Sequence, residues 1–274
     1  MKSPLSVAPW FCVVACFLVV LCSAAQAAPD LATVIAGEHR SAENRARDVW
    51  RHPAETLGFF GVRPDMTVVE LWPGAGWYTE ILAPYLRENG LLYAAHFPRE
   101  SEQEYYRRGR AAFEARLAAN PELYDRVKVT ELAPPAGLEI APAGSADAVL
   151  TFRNLHNWYG QGADVAVLKA AYTALKPGGV LGVVEHRASA GATPEQMKKS
   201  GYLSEEAVIA AARAAGFELE ESSEINANPR DTHDHPKGVW TLPPTLALGD
   251  TDRARYLAIG ESDRMTLRFR KPVQ

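Results

Sequence analysis

Short apolar runs alternate along the chain with longer amphipathic segments, and this alternation sets the expected elements. Residues 68–71 form an apolar run with one polar position, Glu70, near its end, and they read as a buried strand. Trp77, Ile81 and Tyr85 follow at helical spacing, with Pro84 expected to bend or end that helix. The same alternation predicts strands at 91–95, 127–132, 148–152 and 180–184, and helices at 100–119, 163–175 and 204–215. Residues 176–179 (Lys-Pro-Gly-Gly) read as a helix stop and turn. Two last strands are expected at 217–225 and 265–269, with no helix between them but a long loop at 226–262 rich in Pro, Asp, His and Gly. A loop of that length is more often functional than idle. Ser41 is placed to cap a helix in a polar helical segment at 28–58.

Strands separated by helices imply an α/β domain with a doubly wound, Rossmann-like sheet of seven strands and helices on both faces. The sheet is expected to be mostly parallel, with an antiparallel last strand. The domain would occupy 59–274.

The first residues follow another pattern. Lys2 is the only charge before Asp30, an apolar run extends from Val7 to Cys22, and Ala25-Gln26-Ala27 closes it. That layout predicts a secretory signal peptide over 1–27, cleaved after Ala27, and a periplasmic or secreted protein. The run is short of the roughly 20 residues that a membrane span needs, so no stable span is expected after cleavage. All three cysteines (Cys12, Cys16 and Cys22) fall in this segment. The mature chain would therefore carry no disulfide, thiolate metal site or cysteine nucleophile.

Composition changes the picture little. Of the 274 residues 47% are hydrophobic and 23% charged, and the net charge of −4 comes without a basic block, which argues against a nucleic-acid partner.

The chemistry concentrates where strands end. In a parallel sheet, ligands bind beyond the carboxyl ends of the strands. Gly74 and Gly76 lie in a strand–turn–helix there, where glycine permits tight turns and close ligand approach. Five of the seven histidines follow strands: His96, His156, His186, His233 and His235. Asn154, Asn157, Glu185 and Asp231 are expected beside them. His156 or His186 could act as a general base, with Asn154 aligning an acceptor. Alternatively, His156, His186, His233 and His235 could bind a divalent metal with Glu185 or Asp231. No HxxxH or HExxH pair supports the metal reading.

Three phrases in order, 68-VVELWPGAG-76, 146-ADAVLT-151 and 175-LKPGG-179, resemble class I S-adenosylmethionine (SAM) dependent methyltransferases. More narrowly, 72-WPGAGWYT-79 with 153-RNLHNW-158 looks like an exported, poorly characterised subgroup of them, and the resemblance covers roughly residues 40–272. The resemblance implies SAM as cofactor, with Glu70, Trp72, Gly74, Gly76 and His96 around it and a small or exported molecule as O or N acceptor. It also marks two departures. Trp72 stands where such loops carry a glycine, and His96 stands where an acidic residue binds the ribose hydroxyls. A neutral imidazole accepts one hydrogen bond and cannot clamp a diol. A methyltransferase fold turned to metal chemistry or small-ligand binding through a histidine rim is the alternative.

Overall fold

The computed structural model describes residues 29–273, and the expected signal segment 1–27 lies outside them. One seven-stranded sheet organises the chain: β1 (Thr67–Leu71), β2 (Leu91–His96), β3 (Lys128–Glu131), β4 (Ala146–Phe152), β5 (Leu175–His186), β6 (Glu218–Ser223) and β7 (Arg264–Arg270). Their order is β3-β2-β1-β4-β5-β7-β6. β1 to β5 pair in parallel, and β7 runs antiparallel to both β5 and β6. The direction of strand addition reverses between β1 and β4, which opens a crevice at their carboxyl ends.

The pleat explains why the central strands are apolar throughout. Successive residues point to opposite faces, so both need a cover. Val69, Leu71, Val149 and Leu181 join a core with Leu168, Ala171 and Val208 of the helices Asp164–Ala174 and Glu205–Ala214. Val68, Leu150, Val180 and Val184 face the other way, against Leu57, Ile81 and Leu82. Each such aliphatic side chain contributes about 1.5–3 kcal/mol by leaving water.

The segment before β1 breaks into four short helices, Leu31–Ala36, Ala42–Arg45, Asp48–Arg51 and Pro53–Phe59. Ser41 caps the second of them, its hydroxyl accepting from Asn44 N–H at 3.2 Å. Val34 and Leu57 place this segment in the second core cluster.

Three expectations require correction. Residues 176–179 make no turn after a helix: Gly178 N–H donates to Lys271 O and Lys271 N–H to Gly179 O, so pairing with the C-terminal segment extends β5 back to Leu175. The stretch after β6 holds a 3-10 turn, Gly238–Thr241, and a helix, Arg253–Ile259. Helices Leu155–Gln161 and Pro194–Ser200 lie where the sequence pattern predicted no element. The latter starts with a complete capping box between Thr193 and Gln196. As expected of an interior proline, Pro84 lies close to the end of its helix, Thr79–Leu86. Proline removes the N–H that would bond the carbonyl four residues earlier. That carbonyl, Glu80 O, accepts from His39 Nε2 at 2.9 Å instead.

Candidate functional site

The β1 carboxyl end turns through Trp72-Pro73-Gly74-Ala75-Gly76 with left-handed backbone at Trp72 (φ 44°), Gly74 (φ 59°) and Gly76 (φ 84°). A non-glycine residue in that region carries strain of about 1–3 kcal/mol. Several contacts hold Trp72 there. Its N–H donates to Ala95 O at 2.8 Å, and its indole Nε1 to Leu132 O at 2.8 Å. Its ring packs against Phe97 (4.9 Å between centroids), Trp158 (5.1 Å) and Tyr106 (5.6 Å). Asn154 Nδ2 bridges the carbonyls of Leu71 (2.9 Å) and Trp72 (3.2 Å). The side chain thus turns into the core, leaving part of the ring as cavity wall.

That cavity, about 360 Å³, lies over the loop. Pro73, Gly74 and Ala75 line it, and nothing stands within 4 Å of where a Cβ on Gly74 would be. Asn154, His156, Asn157 and His186 line it too, with Trp240, Pro243 and Pro244 of the long loop.

Three residues expected at the cofactor do not line the cavity. Glu70 is 2% exposed and accepts from Thr79 Oγ1 at 2.6 Å beneath the loop. Burial raises its pKa to about 7, against the lowering effect of the Thr79 bond. His96 is fully buried. Its Nδ1 accepts from Phe97 N–H at 2.7 Å, which leaves Nε2–H to donate to Gly74 O at 2.9 Å. Burial lowers its pKa to about 4, so the ring is neutral. Both ring nitrogens are engaged within the protein, and His96 supports the loop instead of facing a ribose. Gly76 is likewise outside the lining, its Cβ position facing the Phe113 ring at 3.2 Å.

Of the five strand-end histidines, two come together. The rings of His156 and His186 are 5.1 Å apart. His156 Nδ1–H donates to Glu185 Oε1 at 2.9 Å, and its backbone N–H to Oε2 at 3.1 Å. Glu185, at the end of β5 and fully buried, also accepts from His186 N–H at 2.7 Å. The carboxylate fixes the tautomer of His156, and Nε2 has no protein partner among the described residues. His186 Nδ1 lies 2.5 Å from Ser262 Oγ. Burial, aided by His156 and Arg153, holds the His186 pKa well below the ordinary value, and the ring stays neutral.

The metal set of four histidines is not assembled. Ligand atoms of His156, Glu185 and His186 lie within 4.8 Å of one another, but both Glu185 oxygens already accept hydrogen bonds. His235 Nε2 bonds Asp231 at 2.8 Å, and His233 bonds Ser189 at 3.1 Å. These two line a second cavity of about 730 Å³, which shares Trp240 with the first. Arg230, in the same long loop, lies 4.9 Å over the Trp50 ring and lines neither cavity.

A group that sequence reasoning gave no role is the arginine wall. Arg47, Arg51 and Arg153 line the first cavity. Glu261 anchors two of them, accepting from Arg47 Nε at 2.6 Å and from Arg51 Nε at 3.0 Å. Burial alone would raise the Glu261 pKa, but Arg264, Arg51, Arg153 and Arg47 together pull it far below the usual range. In sequence Arg47 and Arg51 stand 214 and 210 residues from Glu261. No local signal connects them, although Arg153 was visible in the run before His156.

This architecture is shared with solved proteins. The chain is 16% identical to a SAM dependent methyltransferase from Aquifex aeolicus, with a TM-score of 0.54 over 88% of this chain and 98% of that one. It is 19% identical to the (4+2)-cyclase SpnF, TM-score 0.57 over 89% and 92%. It is 16% identical to phosphoethanolamine N-methyltransferase 2 from Haemonchus contortus in complex with S-adenosyl-L-methionine, TM-score 0.54 over 81% and 53%. No family model and no curated protein matches the chain. The fold is that of the class I SAM-dependent methyltransferases, and it carries a cyclase as well.

Proposed function

We propose that this chain, with its class I methyltransferase fold, uses S-adenosylmethionine to methylate an O or N atom of a small acceptor. A fold alone does not decide an activity, so the reading rests on the site. The observation that carries it is the Glu185-oriented His156, whose open Nε2 belongs to a residue lining the same cavity as the Pro73–Ala75 loop.

The loop fits such a cofactor. Glycine without a neighbour at its Cβ position lets a ligand approach the backbone. The volume lies in the range of small-molecule sites. Pro73, Gly74, Ala75 and the edge of Trp72 would hold it. The β2 end supplies no free ribose partner, which predicts weaker binding than an acidic residue there would give.

Bound SAM supplies an electrophilic methyl group on a sulfonium. The protein's part is positioning and proton handling. His156 Nε2 takes the proton from the acceptor. Glu185 stabilises the resulting imidazolium through Nδ1–H, as a buried carboxylate does best with a charged partner. Asn154 fixes the loop through the Leu71 and Trp72 carbonyls and is thereby a positioning residue. Neutral His186 adds a hydrogen-bonding group without a second charge. Trp240, Pro243 and Pro244 wall the cavity on the side of the long loop. Metal chemistry at the histidines is not favoured, because Glu185 is already engaged by three N–H groups.

S-adenosylhomocysteine is expected to raise the melting temperature progressively as its concentration passes its dissociation constant. Absence of binding at millimolar ligand would sink the proposal. His156→Ala should retain that binding and lose about 10²–10⁴-fold in turnover. The 1–27 pattern further supports export, which a mature amino terminus at Ala28 would check.

A further inference from the structure

We propose that Arg47, Arg51 and Arg153 form an anion subsite in the first cavity, which takes a carboxylate or phosphate group of the methyl acceptor. The proposal depends on the methyltransferase reading only for the word acceptor; anion binding itself does not require it.

Four guanidiniums (Arg47, Arg51, Arg153 and Arg264) cluster around one carboxylate, Glu261. Glu261 uses its oxygens on Arg47 Nε, Arg51 Nε and Arg264 Nη2. Its capacity is then filled, yet donors remain. Arg47 Nη2 and Arg51 Nη2 are buried without a partner among the described residues. The Arg51 side chain is 5% exposed, so these two atoms lend the cavity their charge and not a direct contact. Arg153 has no ion pair and no side-chain hydrogen bond among the described residues, although it lines the cavity.

Burying an unpaired cation is expensive, and an unpartnered charge of this kind is normally paired or removed. Here it is also held in place. Arg153 sits at φ 61°, with its N–H donating to Val184 O at 2.7 Å. Arg51 lies 4.7 Å over the Trp77 ring. Glu261 and the Trp77 ring fix the Arg47 and Arg51 guanidiniums, and the bond to Val184 fixes the Arg153 backbone. Planar forks of this kind match carboxylate and phosphate oxygens.

The position favours the acceptor over the cofactor. Arg153 begins the turn from β4 into the helix that carries His156. The cationic wall lines the same cavity as His156 and His186, and Arg153, Arg264 and Arg51 all depress protonation of His186. An anion bound there would set its molecule next to His156 Nε2. The wall is also hostile to the ammonium of a cofactor's methionine end. Trp77, Phe152 and Trp240 around it suit an aromatic or apolar body.

The test uses benzoate and phenyl phosphate as probes and benzamide as the neutral control, with melting temperature and calorimetry as readouts. Both anions should bind and benzamide should not. Arg153→Met should weaken the anions by about tenfold to a hundredfold, the range of a lost charge-assisted hydrogen bond. Arg153→Lys should recover part of the loss. Without ligand, Arg153→Met should melt close to the wild-type temperature, since Arg153 is only partly buried and makes no ion pair or side-chain hydrogen bond among the described residues. A fall of several degrees would instead mark a structural residue and count against the subsite. Failure of both anions to bind at millimolar concentration overturns the proposal. So does a loss confined to S-adenosylhomocysteine, which would assign the arginines to the cofactor's carboxylate. If homocysteine-cofactor binding is absent but benzoate binds in an Arg153-dependent way, the methyltransferase reading falls and the subsite stands.

Discussion

Glu70 and His96 show how the same strand-end position changes meaning once its neighbours are fixed. Each was legible as polar at the edge of a crevice. Burial converts them into opposite titrating supports beneath the loop. Glu70 has its pKa raised to about 7, so its favourable contribution is complete below about 4.5 and is lost as pH rises through 7. His96 has its pKa lowered to about 4, so its contribution is present above about 6.5 and is lost as pH falls toward 4. Glu70→Gln should therefore stabilise the protein at pH 8 by about 1–3 kcal/mol and have little effect at pH 5. Denaturant melts at the two pH values check this. A variant destabilised at both would mean that the Thr79 bond outweighs desolvation.

Among elements, the helix Thr79–Leu86 is informative because its interior proline should break it. His39, from the segment before β1, supplies the donor that Pro84 lacks. His39→Ala should cost about 1 kcal/mol, and less in a Pro84→Ala background, where a backbone N–H returns to Glu80 O. A double-mutant cycle measures the coupling; additivity would show that the two residues act independently. The glycine turn and the Ser41 cap appear where the sequence puts them, and Ser204 caps its helix in the same way. The helix Leu155–Gln161 and the long extension of β5 did not announce themselves. Asn-Trp-Tyr-Gly is locally compatible with a turn, and Lys-Pro-Gly-Gly becomes strand only because Lys271 pairs with it.

Across the whole molecule, Glu261 links distant parts of the chain. It joins Arg47 and Arg51 before β1 to Arg264 at the start of β7. Glu261→Gln should destabilise by about 3–5 kcal/mol, because it leaves buried guanidiniums without their anion. Amide exchange should rise first around residues 42–51; unchanged protection there would show that the segment is held by its apolar contacts alone.

Hydrophobic alternation, glycine positions and capping residues determined the α/β sheet, its antiparallel end and the crevice, because these are local or periodic properties of the chain. Trp72 was recognisable as a departure, but its direction depended on Phe97, Tyr106 and Trp158. Likewise only tertiary structure decided that two of five strand-end histidines meet, that Glu185 orients one of them, and that three arginines face the same cavity. Side-chain direction and the balance of buried charge depend on partners far away in sequence, so no spacing along the chain records them.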